Sequence, residues 1–317
     1  MLTDSYIDYI SGVRRYSERT CEIYSEALSS FCEYTLSVDD ETLISALVPA
    51  QVRNYEVFLM EEKKLDPSTV NLHLSVLSGF CKFLVRSGKL ESNPVRLVTR
   101  PKAPKRLPQF YREEAMRAYF EATESNVQTP DMDLAQRYES RLRHLIISML
   151  YCTGMRRSEL AALNLGDVDF SRKVVKVRGK GDKMREIPLV DVLCEEISLY
   201  LQSVDTMVGC EMTPASPLLL TLKGRRLYPV FIDRAVKEEL GKVEGITGKK
   251  SPHVLRHTLA TELLNEGTDL NSIKELLGHS SLAATQVYTH NSIEKLKSVY
   301  NNAHPRAKNG GNYGDKH

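Results

Sequence analysis

Along the first ninety residues, apolar positions recur at the spacing of three and four that lets a helix bury one face. Ser17 stands where a helix cap would, ahead of Ile23, Ala27, Leu28, Phe31 and Tyr34. Pro49 opens a second run carrying Val52, Tyr55, Phe58 and Leu59. Asp66-Pro67-Ser68 opens a third, with Val70, Leu74, Leu77, Cys81 and Leu84 on one stripe and Gly88 just past its end. With an opening segment around Tyr6, Ile7 and Ile10, the pattern predicts an amino-terminal helical bundle of about four helices over residues 1–92.

The pattern then breaks. Residues 93–108 hold four prolines and five bases, and repeated proline removes backbone donors and favours extended chain, so this stretch reads as a basic linker between domains. Beyond it the periods are mixed. Helices are predicted over 143–151 and 158–165, then a hairpin of 174–178 and 185–188 around the Gly-rich turn 179–183. Further helices are predicted over 192–202, 230–240, 254–265, 270–277 and 281–288. The expectation is therefore mainly α with a small β-sheet, with a second, mixed α/β domain at 109–300 and a flexible tail at 301–317.

Composition narrows the class without naming an activity. With 317 residues, 42% hydrophobic and 26% charged, the chain has the profile of a soluble protein of two ordinary domains. Its longest apolar runs fall short of a membrane span and its first residues lack the layout of a secretory signal, so neither membrane anchor nor export is expected, and the cytoplasm is. Cys21, Cys32, Cys81, Cys152, Cys194 and Cys210 are scattered with no C-x-x-C pair, which suits free thiols better than disulfides or a cysteine zinc site. Net charge is only +2, with 11 Lys+Arg against 14 Asp+Glu in residues 1–100 and 32 against 27 in the rest. Local clustering matters more to a polyanion. Six bases and no acid lie between Arg96 and Arg112, and seven bases and one acid between Arg172 and Arg185. Two solvated basic loops would look the same.

Candidate chemistry gathers toward the carboxyl end. In Ser251-Pro252-His253-Val254-Leu255-Arg256-His257, Ser and Pro suit a helix start, which puts His253 and Arg256 on one face, three apart. A guanidinium fork beside a titratable imidazole is a poor core pair and a good partner for an anion. His253 and His257, four apart, raise the thought of a metal pair, but Val254 replaces the glutamate of H-E-x-x-H and no third ligand is evident. Leu276-Leu277-Gly278-His279-Ser280-Ser281 sets an imidazole on a turn, and Tyr288-Thr289-His290 follows. Upstream, Thr153-Gly154-Met155-Arg156-Arg157-Ser158-Glu159-Leu160 places an arginine at a Gly-containing helix junction. Alone, each of these would be unremarkable.

In this order the pieces resemble one family: T-G-M-R-x-S-E-L, G-K-G-D-K after a strand, H-V-L-R-H, L-G-H-S and then Y-T-H are similar to the tyrosine recombinases, or lambda-integrase family, of the Xer type. The resemblance runs along nearly the whole chain, including Asn93-Pro94, Pro101-Lys102 and His304-Pro305-Arg306-Ala307; Thr123–Tyr138 is its least typical stretch and suggests a lengthened loop. It implies a SAM-like, core-binding amino-terminal domain and a recombinase catalytic domain. It also implies that Arg156 and Arg256 clamp the scissile phosphate and that Lys180 protonates the leaving 5′-oxygen. His253 and His279 would complete the phosphate pocket, His253 being the better candidate for exchanging the tyrosine proton; Tyr288 would attack to give a 3′-phosphotyrosine, and Glu159 would support Arg156.

The chemistry is consistent with those roles. Fixed guanidinium groups stabilise the charge that builds on a phosphodiester under attack, and a phenol of ordinary pKa near 10 needs cations or a base to become a nucleophile. A phosphotyrosine conserves the bond energy, so resealing needs no ATP, metal or other cofactor, and Gly179-Lys180-Gly181-Asp182-Lys183 is a strand-turn-strand element rather than a nucleotide loop. The expected partners are double-stranded DNA with specific recombination sites and a homo- or hetero-tetramer with a related recombinase. Three alternatives stay open on the sequence: a relaxing topoisomerase of the IB kind, an integrase of a phage or mobile element, and a catalytically silent DNA-binding or architectural protein.

Overall fold

The capping signals of the first hundred residues become helix ends. In this computed structural model, which describes residues 1–102, 109–126, 133–179, 182–209, 211–278, 300, 304 and 306, the Ser17 hydroxyl accepts from the Thr20 amide at the start of α2 (Glu18–Thr35). The Asp66 carboxylate accepts from the Ser68 and Thr69 amides at the start of α5 (Pro67–Arg86). Pro49 and Pro67 occupy first turns, where a missing N–H costs nothing. The opening segment is α1 (Leu2–Asp8), which widens into a π-helical turn at Tyr9–Val13, and Pro49–Glu61 forms α4. One helix was not anticipated. α3 (Asp40–Ala46) has seven residues, too few for a period to show, and is held by the Asp39 carboxylate accepting from the Thr42 amide at 2.8 Å.

These helices belong to a unit spanning Met1–Arg106. Its core takes the predicted stripes: Ala27, Leu28 and Phe31 from α2, Val52, Tyr55 and Leu59 from α4, and Val70, Leu74, Leu77, Cys81 and Leu84 from α5 are buried together. Tyr55 sits at their centre, edge-on to Phe31, with its hydroxyl bonded to Ser30 and His73 at 2.9 Å each. Among the described residues one helix, α5, is long and apolar enough to cross a membrane by length and composition; its apolar stripe is buried in this core. The front of the Pro-rich stretch also packs here. Pro94–Leu97 forms a 3-10 turn and Val95 and Val98 are buried, because these two side chains give an otherwise polar, Pro-rich segment an apolar face.

A second unit spans Leu107–His317 and is built around α7 (Leu134–Thr153). Every residue of 144–153 on this helix is buried, and a helix apolar on all sides near its end is one enclosed by neighbours. Those neighbours are α9 (Asp191–Val208), α10 (Pro229–Gly241) and α11 (Pro252–Asn265). α8 (Arg157–Ala162) follows α7 directly, and α12 (Leu270–Leu277) packs on α11. α6 (Glu113–Asn126) was not expected. The stretch Thr123–Tyr138 is accordingly helical at both its ends, and its middle, 127–132, lies outside the described residues. The helix expected over 281–288 lies outside them as well.

The predicted hairpin is β2 (Val174–Arg178) against β3 (Met184–Pro188), antiparallel with Val175 opposite Ile187 and Val177 opposite Arg185. A two-residue strand, β1 (Val168–Asp169), extends it to the order β1-β2-β3. Within the tail expected to be flexible, 301–317, the described residues are His304 and Arg306, and both are held in place. Tyr300, His304 and Arg306 are buried against the second core. Arg306 pairs with Glu196, donates to Ser148 Oγ at 3.1 Å and lies 3.9 Å over the Phe120 ring, a set of contacts that outweighs the entropy of fixing a terminus. Cys21, Cys81 and Cys152 are buried, Cys32 and Cys194 half-buried, and all five are free thiols; Cys210 lies outside the described residues.

Candidate active site

A change of direction after α7 positions the first arginine. Gly154 ends that helix in the left-handed conformation at φ +60°, and a Cβ there would meet Leu277 Cδ2 at 2.6 Å and Leu259 Cδ2 at 2.9 Å, so only glycine fits. Met155 then turns into the core and Arg156 takes the capping position of α8. Its amide and its Nη1 both donate to the Glu159 carboxylate, each at 2.8 Å. Its Nη2 reaches Gly278 O at 3.2 Å.

Arg256 arrives from α11 and is 6% exposed, which for a guanidinium demands an explanation. It bridges two helix ends, donating to Gly154 O at 2.7 Å and Leu277 O at 2.6 Å. Both carbonyls belong to chain leaving a helix carboxyl end, where acceptors lack intrahelical partners and the helix dipole favours a cation. Burial, and then the nearby Arg156 and Arg185, push the Arg256 guanidinium down to about 10, against which Glu159 acts. Three guanidiniums gather around one carboxylate, Glu159, which Arg156 and Arg185 bond directly. That electrostatic stress is what a bound anion relieves.

Glu159 lies at the bottom of this arrangement with its side chain 4% exposed. Burial opposes its ionised form, but hydrogen bonds from Arg185 and from the Arg156 amide outweigh burial and hold its carboxyl below the ordinary range. In the sequence Arg185 is one base in a run. In the structure, Arg172 pairs with Glu186, Lys173 with Asp191 and Arg178 with Asp182, while Arg185 is buried on Glu159. Strand register carried the missed signal. Residues directly opposite on an antiparallel pair share a face, and Arg185 is opposite buried Val177, so a charge points toward the core.

His253 sits one helical turn before Arg256 on α11, as its spacing predicted. Ser251 and Pro252 occupy the expected cap and first-turn positions, although the Ser251 hydroxyl makes no capping bond. The imidazole is exposed and its pKa is lowered, first by partial burial and then by Arg157, Arg256, His257 and Lys249 around it. It is therefore neutral at physiological pH. His257 is exposed beside it, and no cluster of metal-ligating side chains occurs among the described residues. Arg156, Arg256 and His253 are thus brought into one region. Lys180, His279 and Tyr288 lie outside the described residues. The residues just before two of them, Gly179 and Gly278, both lie against the Arg185 side chain.

Known proteins give this arrangement its family. The family model for phage integrases matches residues 124–295, and that for the phage integrase N-terminal SAM-like domain matches 3–88. A tyrosine recombinase XerC of Bacillus pumilus is 37% identical over 311 residues, covering 96% of this chain and 97% of that one. Another from Bacillus subtilis is 35% identical over 305 residues, covering 95% of both. Among solved structures, the XerH site-specific recombinase bound to palindromic difH is 20% identical with a TM-score of 0.67, covering 93% of this chain and 83% of that one. A lambda integrase dimer bound to a COC′ core site is 17% identical with a TM-score of 0.63, covering 100% and 79%. The fold and the relatives together define a tyrosine recombinase. This chain belongs to the phage integrase family, it is an enzyme, and its likeness is to the Xer-type site-specific recombinases.

Proposed function

We propose that this protein cuts and rejoins double-stranded DNA at specific sites through a covalent link between Tyr288 and a 3′-phosphate. It would act as one member of a homo- or hetero-tetramer on paired sites, in the cytoplasm. The observation that carries the reading is the convergence of Arg156 and Arg256 on consecutive carbonyls at the end of α12, with the Glu159 carboxylate beside them bonded by Arg156 and Arg185. Two guanidiniums fixed this way are preorganised for a phosphodiester and need no reorganisation as charge builds on its oxygens. In this reading Arg156 and Arg256 hold the phosphate, His253 accepts the phenol proton and His279 completes the pocket. Lys180 delivers a proton to the leaving 5′-oxygen, so the cut end is a free hydroxyl that can attack the phosphotyrosine and reseal the strand. No metal or cofactor enters that sequence.

Residues 1–92 would be the core-binding domain, 93–108 the linker, 109–300 the catalytic domain and 301–317 a terminal extension whose Arg306 is tied down. The name shared by the relatives favours chromosome-dimer resolution over mobile-element integration as the biological role. A nicked suicide duplex, from which the short fragment bearing the freed 5′-hydroxyl escapes after cutting, tests the chemistry. A protein–DNA adduct that survives denaturation is expected, and none with Tyr288→Phe. Two sites on one plasmid separate recombination from simple relaxation: only the first yields exchanged products.

A further inference from the structure

Arg185 has every nitrogen of its guanidinium committed inside the protein. Nη1 and Nη2 grip the two oxygens of Glu159 at 3.1 and 2.9 Å, and Nε donates to Leu276 O at 3.0 Å. Both Nη atoms face the Glu159 carboxylate, so the fork that would otherwise meet a phosphate is already filled by an anion. Glu159 passes the restraint on, because the same carboxylate receives the Arg156 amide and Nη1. The far end of Arg156 closes the circle on Gly278 O.

Two glycines frame the same side chain. A Cβ on Gly278 would stand 3.2 Å from Arg185 Cδ, Nε and Nη1, and Gly278 also has φ +67°. A Cβ on Gly179 would stand 3.4 Å from Nη1 and 3.6 Å from Glu159 Oε1. Lys180 and His279 are the next residues in the chain after these glycines. One guanidinium therefore touches the strand leading to Lys180, the helix end leading to His279 and, through Glu159, the capping turn that aims Arg156.

We propose that Arg185 is a positioning residue for strand cleavage, setting the geometry of Arg156 through Glu159 and docking the hairpin and the α12 end on one buried fork. This rests on the reading of Arg156 as a phosphate clamp. A planar fork is needed because a lysine in that place would supply its donors from a single nitrogen, not two parallel bonds with a third set across them.

The experiment measures single-turnover cleavage of the suicide duplex at saturating protein, alongside DNA affinity, for Arg185→Met, Arg185→Lys, Arg156→Lys and the Arg185→Met/Arg156→Lys double variant. Arg185→Met is expected to slow cleavage by about 10–100-fold, the scale of an ångström's misplacement, with DNA affinity within about twofold. Arg185→Lys should recover only part of that rate. In the Arg156→Lys background Arg185→Met should add little, since a residue acting through another loses its lever when the other is gone. Full multiplication of the two rate losses overturns the proposal, as does a loss of affinity equal to the loss of rate or wild-type cleavage by Arg185→Met. If Arg185→Met does not fold, Arg185→Lys carries the same comparisons. Wild-type cleavage by Arg156→Lys would instead sink the reading of the clamp itself, a result distinguishable from all of these.

Discussion

At the scale of single residues, the site is a problem of placing cations where they repel one another. Arg256 illustrates it: burial and two neighbouring guanidiniums act against its charge, and the carbonyls of Gly154 and Leu277 with Glu159 nearby hold it in place. Replacing it by alanine should lower the cleavage rate by on the order of 100–1000-fold, the cost of losing one fixed donor to developing charge. DNA affinity should change far less, since the basic clusters at 96–112 and 172–185 are untouched; equal losses in both would mark Arg256 as a binding contact. His253 yields a pH expectation. Its imidazole is pushed below its ordinary 6.5 by partial burial and surrounding cations, so it is a free base at pH 7 and becomes protonated only in more acid solution. The rate of cleavage at subsaturating protein should therefore fall on an acid limb lying below 6.5, and His253→Gln should abolish that limb. A limb centred above 6.5, or one retained in the variant, would contradict the assignment.

At the scale of elements, buried carboxylates show how the helices are locked. Glu262 on α11 accepts from the Tyr151 hydroxyl of α7 at 2.9 Å, and its second oxygen has no partner among the described residues. Burial first, and Glu113 after it, raise its pKa to about 8. A carboxyl raised in this sense is neutral in both states below about 4.5; from there to about 8 only the unfolded chain ionises, so stability falls across that window and the loss is complete above it. Glu262→Gln should thus melt close to the parent at pH 5 and clearly above it at pH 9, by on the order of 3–5 kcal/mol at most; an unchanged difference across that range would contradict it. Glu196 on α9 is the opposite case. Burial works against it, but His144 and Arg306 hold it down to about 2, so its contribution is present above about 4.5 and lost as pH falls toward 2. Arg306→Met leaves that charge half-paired and should cost about 3–5 kcal/mol in chemical denaturation.

What the sequence made legible follows from the same physics. Long amphipathic helices with a capping Ser17 or Asp66, and a hairpin with alternating valines, announce themselves locally. α3 has too few residues to show a period. The basic run at 172–185 hid a buried arginine, because a charge count cannot see that Arg185 faces the same way as Val177. Arg156, Arg256 and His253 were legible as residue types in motifs, whereas Arg185 and Arg306 depend on partners 26 and 110 residues away.

At the scale of the whole molecule, two units with separate cores carry a net charge of only +2, so affinity for DNA has to come from local clusters of bases rather than from the overall field. Each phosphate neutralised on a duplex releases counterions, and the logarithm of the affinity should fall against the logarithm of salt concentration with a slope of about −0.9 per contact. A salt-insensitive complex would contradict binding through such clusters. The central claim is covalent, and mapping the trapped adduct tests it most directly. After nuclease trimming and proteolysis, mass spectrometry should find a 3′-linked nucleotide on the peptide containing Tyr288, on its phenol oxygen. A link to any other side chain, or one through the 5′ end of the cut strand, would contradict the account.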